Sequence, residues 1–357
     1  MKKNLIKFQF SKNKSINSIS RFMVSGIFLI SFFYVTPIFI NFAEKNFTQK
    51  EFTNNSKNLL NNILKKDALL DNDLIKEEID QRDLMWDIIE ENNNPNIDLV
   101  RFKVDEIDHV YKQNNFILDE IRETKLVKPV KIDLLPEDME NIKSTSKKKD
   151  FFIKIVLPLI VKENTRIRSE RKKLFAILNK NSNTNIEKLW LEKKFKQYGV
   201  RKNDISTLKV RMDEIPTSLA IAQAAKETGW GTSRFARKGN ALFGQWTWSG
   251  EGLKPKEADE GENHKVMKFY SLELSVRAYL RNLNTHKSYK NLRKARSELR
   301  NNDKPLDSLI LSKHLDKYAE TGSQYIEVLQ KIIIQNKLKD FDKARLLPSS
   351  KDLESLI

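Results

Sequence analysis

The longest stretch of the chain without a charged residue is Phe22–Ala43. A helix crosses a bilayer with about 20 apolar residues, so this pattern predicts a membrane helix. Six basic residues and no acid precede it: Lys2, Lys3, Lys7, Lys12, Lys14 and Arg21. The positive-inside rule then keeps residues 1–21 in the cytoplasm as a basic tail and sends the rest across the membrane. Pro37 is compatible with a membrane helix. The rival reading is a cleaved signal peptide. The length of the apolar stretch, and the lack of a convincing A-x-A site after it, favour an uncleaved signal anchor. The expectation is a single-pass protein of the inner membrane with its folded part in the periplasm.

Residues 44–124 are polar, with short apolar clusters such as Leu59-Leu60, Leu69-Leu70 and Ile88-Ile89 at helical spacings. Asn92-Asn93-Asn94-Pro95 interrupts them. This reads as a partly helical spacer, with His109 and Glu77-Glu78 as solvated surface. From residue 125 the pattern changes. Pro129 and Pro136 mark a loop, and Ser144-Thr145-Ser146 can cap a helix over Phe151–Ile177 that buries Phe152, Ile155, Val156 and Leu159. Pro158 should kink it. A second helix runs from an Asn183 cap to about Tyr198, with Leu189, Trp190 and Phe195 inward. A polar stretch, 201–215, follows. Pro216 opens a third helix, Ser218–Thr228, rich in alanine and stopped by Gly229. A β-hairpin pairs an arm near Phe243–Trp248 with His264–Tyr270. Leu272, Val276, Tyr279, Leu280 and Leu283 mark another helix. The last begins near Gly322-Ser323 and buries Tyr325, Val328, Leu329, Ile332 and Ile333. The predicted fold class is mainly α: a helical domain over residues 125–340 with a small β-hairpin, preceded by the membrane helix and spacer and followed by a tail, 341–357.

Composition narrows the chemistry. Cysteine is absent, which excludes disulfides, Cys-ligated metals and a cysteine nucleophile. The four histidines (His109, His264, His286 and His314) are not at metal-ligand spacing, so no metal is expected. Neither phosphate-binding glycine motif occurs. The net charge of +17 suits an anionic partner such as nucleic acid, phospholipid or wall polymer. No nucleic-acid-binding signature accompanies it, and the membrane segment puts the domain on the wrong side for that partner.

The densest chemistry is at Glu227. It lies in the last turn of a small-residue helix, where the macrodipole disfavours a negative charge. The alanines and Trp230 offer an apolar wall, and desolvation pushes its pKa the same way, up. A carboxylic acid kept protonated near neutral pH can protonate a leaving glycosidic oxygen. Trp246 and Trp248 supply flat faces for sugar rings. A helix-end glutamate is ordinarily just solvated surface; the adjacent Gly-Trp-Gly and the Trp-rich loop favour the catalytic reading.

Ala225-Lys-Glu227-Thr-Gly-Trp230-Gly followed by Asn240-Ala-Leu-Phe-Gly resembles the peptidoglycan β-N-acetylglucosaminidase domain (family 73 glycoside hydrolases), which has a lysozyme-like architecture. The closer resemblance is to the Bax-type bacterial proteins of that group. It is carried by Asn240-Ala-Leu-Phe-Gly-Gln-Trp-Thr-Trp248, by Ser275–His286 and by Leu315–Tyr325. It spans residues 125–338 and is strongest between Pro216 and His286. The resemblance implies a glycoside hydrolase that cuts the β-1,4 bond after N-acetylglucosamine, rather than a muramidase or lytic transglycosylase. It implies Glu227 as catalytic acid and a second carboxylate on the hairpin. Glu257 is the first choice there, Glu251 and Glu260 are the reserves, and Asp259 and Glu262 complete the acidic turn. Trp230, Phe243, Gln245, Trp246, Trp248, Tyr318 and Tyr325 are the substrate-binding candidates, with Gly244 beside Phe243 on the cleft floor. Tyr318 is the better candidate for touching sugar and Tyr325 for the core. No cofactor is implied. Inverting, retaining and substrate-assisted routes stay open, because spacing along the chain does not measure the distance between carboxylates. The implied partners are peptidoglycan strands and, through 22–43, the inner membrane. A non-catalytic glycan- or partner-binding module is the alternative.

Overall fold

Three short helices open the part of the chain that the computed structural model describes, which comprises residues 84–93, 95, 98–247, 252–253, 265–319 and 321–348. They are α1 (Trp86–Asn93), α2 (Val104–Gln113) and α3 (Leu118–Thr124). The expected membrane helix, 22–43, lies outside the described residues. Among the described residues no helix is long and apolar enough to cross a membrane.

The expected spacer boundary at 124 is corrected. α1 buries Ile88 against Val266, Phe269 and Leu274. Arg281 donates to the Leu84 carbonyl at 2.8 Å and pairs with Asp87 at 3.3 Å. Asn92 accepts from the Tyr270 N–H at 2.7 Å and donates to the Lys268 carbonyl at 3.1 Å. Ile107, Tyr111, Leu118 and Ile121 of α2 and α3 join the main core. Each helix has only one or two apolar anchors, so the segment looks polar, yet each anchor finds a socket in the domain. The expected tail boundary at 341 shifts for a similar reason. Phe341 and Ala344 are buried, and β1 (Leu126–Val127) pairs in parallel with β5 (Arg345–Leu346).

After a 3₁₀ turn (Glu137–Asn141), α4 runs Thr145–Leu178. Its Ser144 cap accepts from the Lys147 N–H at 3.4 Å, and buried Pro158 lies inside the helix. α5 (Asn185–Gln197) is capped by Thr184, one residue after the expected Asn183, in a reciprocal box with Glu187. Phe195 is buried as expected, whereas Leu189 is 65% exposed. The polar stretch 201–215 contains α6 (Ile205–Arg211), capped by Asp204 and anchored by buried Leu208.

The centre of the fold is α7 (Thr217–Thr228). Leu219, Ala220, Ile221, Ala222 and Ala224 are fully buried. The small alanines let α4 and other elements pack closely around it. α8 (Arg234–Gly239) follows. Buried Asn240 then takes a left-handed turn (φ 49) and donates to the Phe269 carbonyl at 2.9 Å. The expected hairpin has a third strand: β2 (Trp246–Thr247), β3 (Gly252–Leu253) and β4 (Lys265–Met267) form an antiparallel sheet with β4 in the middle.

α9 (Leu272–Thr285), a 3₁₀ turn (Lys287–Tyr289), α10 (Lys290–Asn301), α11 (Ser308–Ser312), α12 (Ser323–Gln335) and a last 3₁₀ turn (Leu338–Phe341) complete the domain. α11, α12 and the last turn join α4 in packing on α7. α10 is held by charge. Buried Arg296 donates to the Val210 carbonyl at 2.8 Å and to Asn284 Oδ1 at 2.6 Å, and Arg300 clasps buried Asp213 at 2.9 and 3.1 Å. These arginines lie around the residues that lead into α7, and so fix where that helix starts. Among the described residues the architecture is mainly helical with two small sheets, consistent with a lysozyme-like domain.

Candidate active site

α7 presents Glu227 in its last turn. Gly229 ends the helix in the left-handed region (φ 57), as a C-terminal glycine is placed to do. Trp230 (φ 59) and Gly231 (φ 82) continue that conformation. A Cβ at Gly231 would meet the Phe152 ring at 2.9 Å, so only glycine fits. The Trp230 ring lies edge-on to Phe152, with centroids 6.0 Å apart, and the Lys149 ammonium sits 5.1 Å from its centre. Trp230 is thus packed towards α4.

The wall around Glu227 is built mainly of tyrosines. Tyr325 of α12 donates to Glu227 Oε1 at 2.9 Å. The same hydroxyl accepts from Gln223 Nε2 at 3.1 Å, and Gln223 Oε1 accepts from the Tyr279 hydroxyl at 2.7 Å. Gln223 precedes Glu227 by four residues, one helical turn, on the same face of α7. Gln223, Tyr279 and Tyr325 are all buried. The result is a directional chain, Tyr279 to Gln223 to Tyr325 to Glu227, in which every donor points towards the carboxylate.

The 240–245 loop closes over this chain. Phe243 stacks on Tyr279 with ring centres 3.7 Å apart and planes within 6°. Tyr318 donates to the Phe243 carbonyl at 3.0 Å and lies nearly parallel to Tyr325 at 5.3 Å. Gly244 has φ 61, and a Cβ there would lie 3.8 Å from Glu227 Oε2. One carboxylate oxygen is therefore committed to Tyr325, while the other faces the loop.

Burial raises the pKa of Glu227 above the ordinary carboxylate value, against the smaller opposing effects of the Tyr325 hydroxyl and Lys226. The neighbouring phenols move up as well. Tyr289 is pushed to about 12, chiefly by burial and in part by the Glu227 charge. Tyr325 is raised by burial and by the charge of Glu227. With Oε1 accepting from Tyr325, a bound proton rests on Oε2, on the side of Gly244. This arrangement can hold and deliver one proton.

The structure brings together Glu227, Phe243, Tyr318 and Tyr325 from the sequence-derived candidates. Tyr325 is buried and touches Glu227 directly. Tyr318 is half-buried, with its hydroxyl committed to the loop. Gln245 follows Gly244, and its buried Oε1 has no hydrogen-bond partner among the described residues. Its carbonyl accepts from the Met267 N–H at 2.8 Å, which ties the loop to β4. The Trp246 backbone pairs with Val266 in the sheet. Trp248, Glu251, Glu257, Asp259, Glu260 and Glu262 lie outside the described residues. Sequence reasoning missed Gln223, Tyr279 and Tyr289 as parts of the site. Gln223 had a visible signal: a lone amide inside an alanine-rich helix, one turn before the key acid. Among the described residues no group of three or more His, Cys, Asp or Glu is placed to hold a metal.

Comparisons with known proteins place a known family over these elements. A family model described as Glucosaminidase, mannosyl-glycoprotein endo-beta-N-acetylglucosaminidase, matches residues 206–338. That range runs from α6 to the last 3₁₀ turn and contains every described residue of the tyrosine–glutamate chain. The chain is 34% identical over 194 residues to protein Bax of Escherichia coli strain K12, covering 53% of this chain and 69% of that one. No solved structure gives a significant match.

Proposed function

The chain belongs to the Bax-type family of glucosaminidase-domain proteins, and from that premise we propose that it is a membrane-anchored peptidoglycan hydrolase that cleaves the β-1,4 bond after N-acetylglucosamine. The family carries the coarser statement, a peptidoglycan-related function of the glycoside hydrolase type. The observation that carries the finer one is the half-buried carboxyl of Glu227, with one oxygen held by Tyr325 and the other facing Gly244.

In the proposed reaction Glu227 Oε2 gives its proton to the glycosidic oxygen as the bond from that oxygen to C1 breaks. Water supplies the hydroxyl that ends on C1, and its remaining proton restores the acid. Glu257 is the proposed second carboxylate, with Glu251 and Glu260 as reserves. Its distance from Glu227 decides whether it activates water directly or forms a covalent intermediate, and the substrate's acetamido group is the third route. Trp246, Trp248 and Tyr318 are proposed to line the sugar groove, with Gln245 Oε1 as a hydrogen-bond acceptor for it. Residues 22–43 are proposed as the anchor in the inner membrane, which leaves the domain in the periplasm beside its polymer.

The test is mass spectrometry of muropeptides released from purified peptidoglycan by residues 76–357. Fragments ending in reducing N-acetylglucosamine support the proposal, and Glu227→Gln abolishes them. Reducing muramic acid ends would mean a muramidase, and anhydro-muramic ends a lytic transglycosylase. Glycan binding without release, by both proteins, would mean a binding module.

A further inference from the structure

We propose that the outward face of α5 is a docking surface for an anionic lipid bilayer. The inference is independent of the catalytic reading. Ile186 and Leu189 are 77% and 65% exposed and sit on one side of α5. Lys193 and Lys196 extend that side, at helical spacings of four and seven residues from Leu189, and both are exposed. The Lys196 ammonium lies 5.1 Å from the ring centre of Trp86, itself 37% exposed on α1. The strip therefore runs along α5 and ends on an exposed indole.

Charge identifies the occupant. From Glu170 to Arg211 the chain has 12 Lys or Arg against 4 Asp or Glu, so this short segment holds +8 of the net +17. The acids already have partners. Glu170 pairs with Lys194, Glu187 with Lys180 and Glu192 with Lys202, and Asp204 caps α6. Aliphatic side chains flanked by lysines and an indole match the boundary between acyl chains and anionic headgroups. Lysine stems lie along apolar surface while their ammonium groups reach phosphate. A second copy is disfavoured because two such faces repel. A hydrated glycan gives Ile186 and Leu189 nothing apolar to enter.

Because the chain has no cysteine, one introduced thiol reports one position. The experiment labels Leu189→Cys in the full chain with a polarity-sensitive fluorophore. Asp119→Cys, on α3 and with its side chain 85% exposed, is the control. Vesicles contain phosphatidylglycerol or phosphatidylcholine alone. A site-specific label separates docking of α5 from any insertion of residues 22–43. The expected result is a blue shift at position 189 with phosphatidylglycerol only, none at 119, and lipid-dependent quenching by brominated acyl chains. Lys193→Glu with Lys196→Glu should weaken the 189 response by at least about tenfold. Equal signals at 189 and 119 on both vesicles would overturn the proposal. So would a shift caused by purified peptidoglycan but not by lipid, or one that follows protein concentration without lipid.

Discussion

The Tyr325 hydroxyl donates to Glu227 Oε1 at 2.9 Å, and this bond opposes the burial that surrounds it. Burial favours the neutral carboxyl, whereas the phenol favours the anion. Burial prevails, so the resting state holds a proton at a higher pH than a solvated glutamate does. The phenol still serves as a partner for the carboxylate left after the proton has gone.

Tyr325→Phe removes the one hydrogen bond among the described residues that stabilises the anion. A hydrogen bond to a charged group contributes about 1.5–3 kcal/mol, so its loss raises the Glu227 pKa further. The alkaline limb of kcat/KM should move up accordingly, while the maximum falls because the carboxyl loses its fixed orientation. A pH–rate profile on a soluble glycan substrate measures both.

Gln223→Leu breaks the chain one step earlier. Tyr279 loses its acceptor, whereas Tyr325 loses a donor but keeps its bond to Glu227, and a buried hydroxyl left unpaired costs about 1–3 kcal/mol. The midpoint of urea unfolding should drop by an amount matching about 1–3 kcal/mol. The alkaline limb should move up by less than in Tyr325→Phe, since Tyr325 itself remains.

Glu227→Gln should stabilise the fold in a pH-dependent way. The folded pKa lies above the unfolded value of 4.5, so ionising Glu227 takes stability away as pH rises from the unfolded pKa to the folded one. Below both pKa values the two proteins should melt alike. Above both, the variant gains about 1.4 kcal/mol for every pH unit separating the two pKa values. Thermal melts at pH 3.5 and pH 7.5 check the sign.

Two glycines separate stability from activity. Gly231→Ala forces a Cβ against Phe152 at 2.9 Å with φ 82 and should cost about 1–3 kcal/mol. Gly244→Ala meets Glu227 Oε2 at an ordinary 3.8 Å, so only its φ of 61 costs stability, about 1 kcal/mol. Its methyl group stands where the glycosidic oxygen should approach, and kcat/KM should fall by at least about tenfold. Unfolding curves and rates on both variants test the contrast.

Chains starting at residue 76 or 98 should differ in stability. The shorter one lacks Ile88 and leaves buried Arg281 without Asp87 and the Leu84 carbonyl. The loss of a fully buried aliphatic contact and a buried charge partner each costs several kcal/mol. The melting temperature should fall by many degrees.

Much of this was legible in the chain. The stripes of α4, α9 and α12 follow helical periodicity, and Gly229 and Ser144 act as the stop and the cap their types suggest. α10 was not legible because the face it buries carries Arg293 and Arg296 beside Leu292 and Leu299, and a hydrophobic pattern does not register arginines satisfied by backbone carbonyls. α1 to α3 hid for a related reason, one or two anchors per helix. At the site, Glu227 was legible from its local motif. Of its wall, the family resemblance pointed to Tyr318 and Tyr325, but the parts played by Gln223 and Tyr279 were not legible, because these residues lie far apart in the chain and meet only once α7, α9 and α12 pack.

The most direct test of Glu227 as the proton donor is a carbon-13 titration of its side-chain carboxyl, resolved by comparison with Glu227→Gln and set beside the pH dependence of kcat/KM. The account predicts a pKa clearly above 4.5 that coincides with the alkaline limb of activity, and loss of both in the variant. A carboxyl that titrates at or below 4.5, or an alkaline limb that persists in Glu227→Gln, would contradict it.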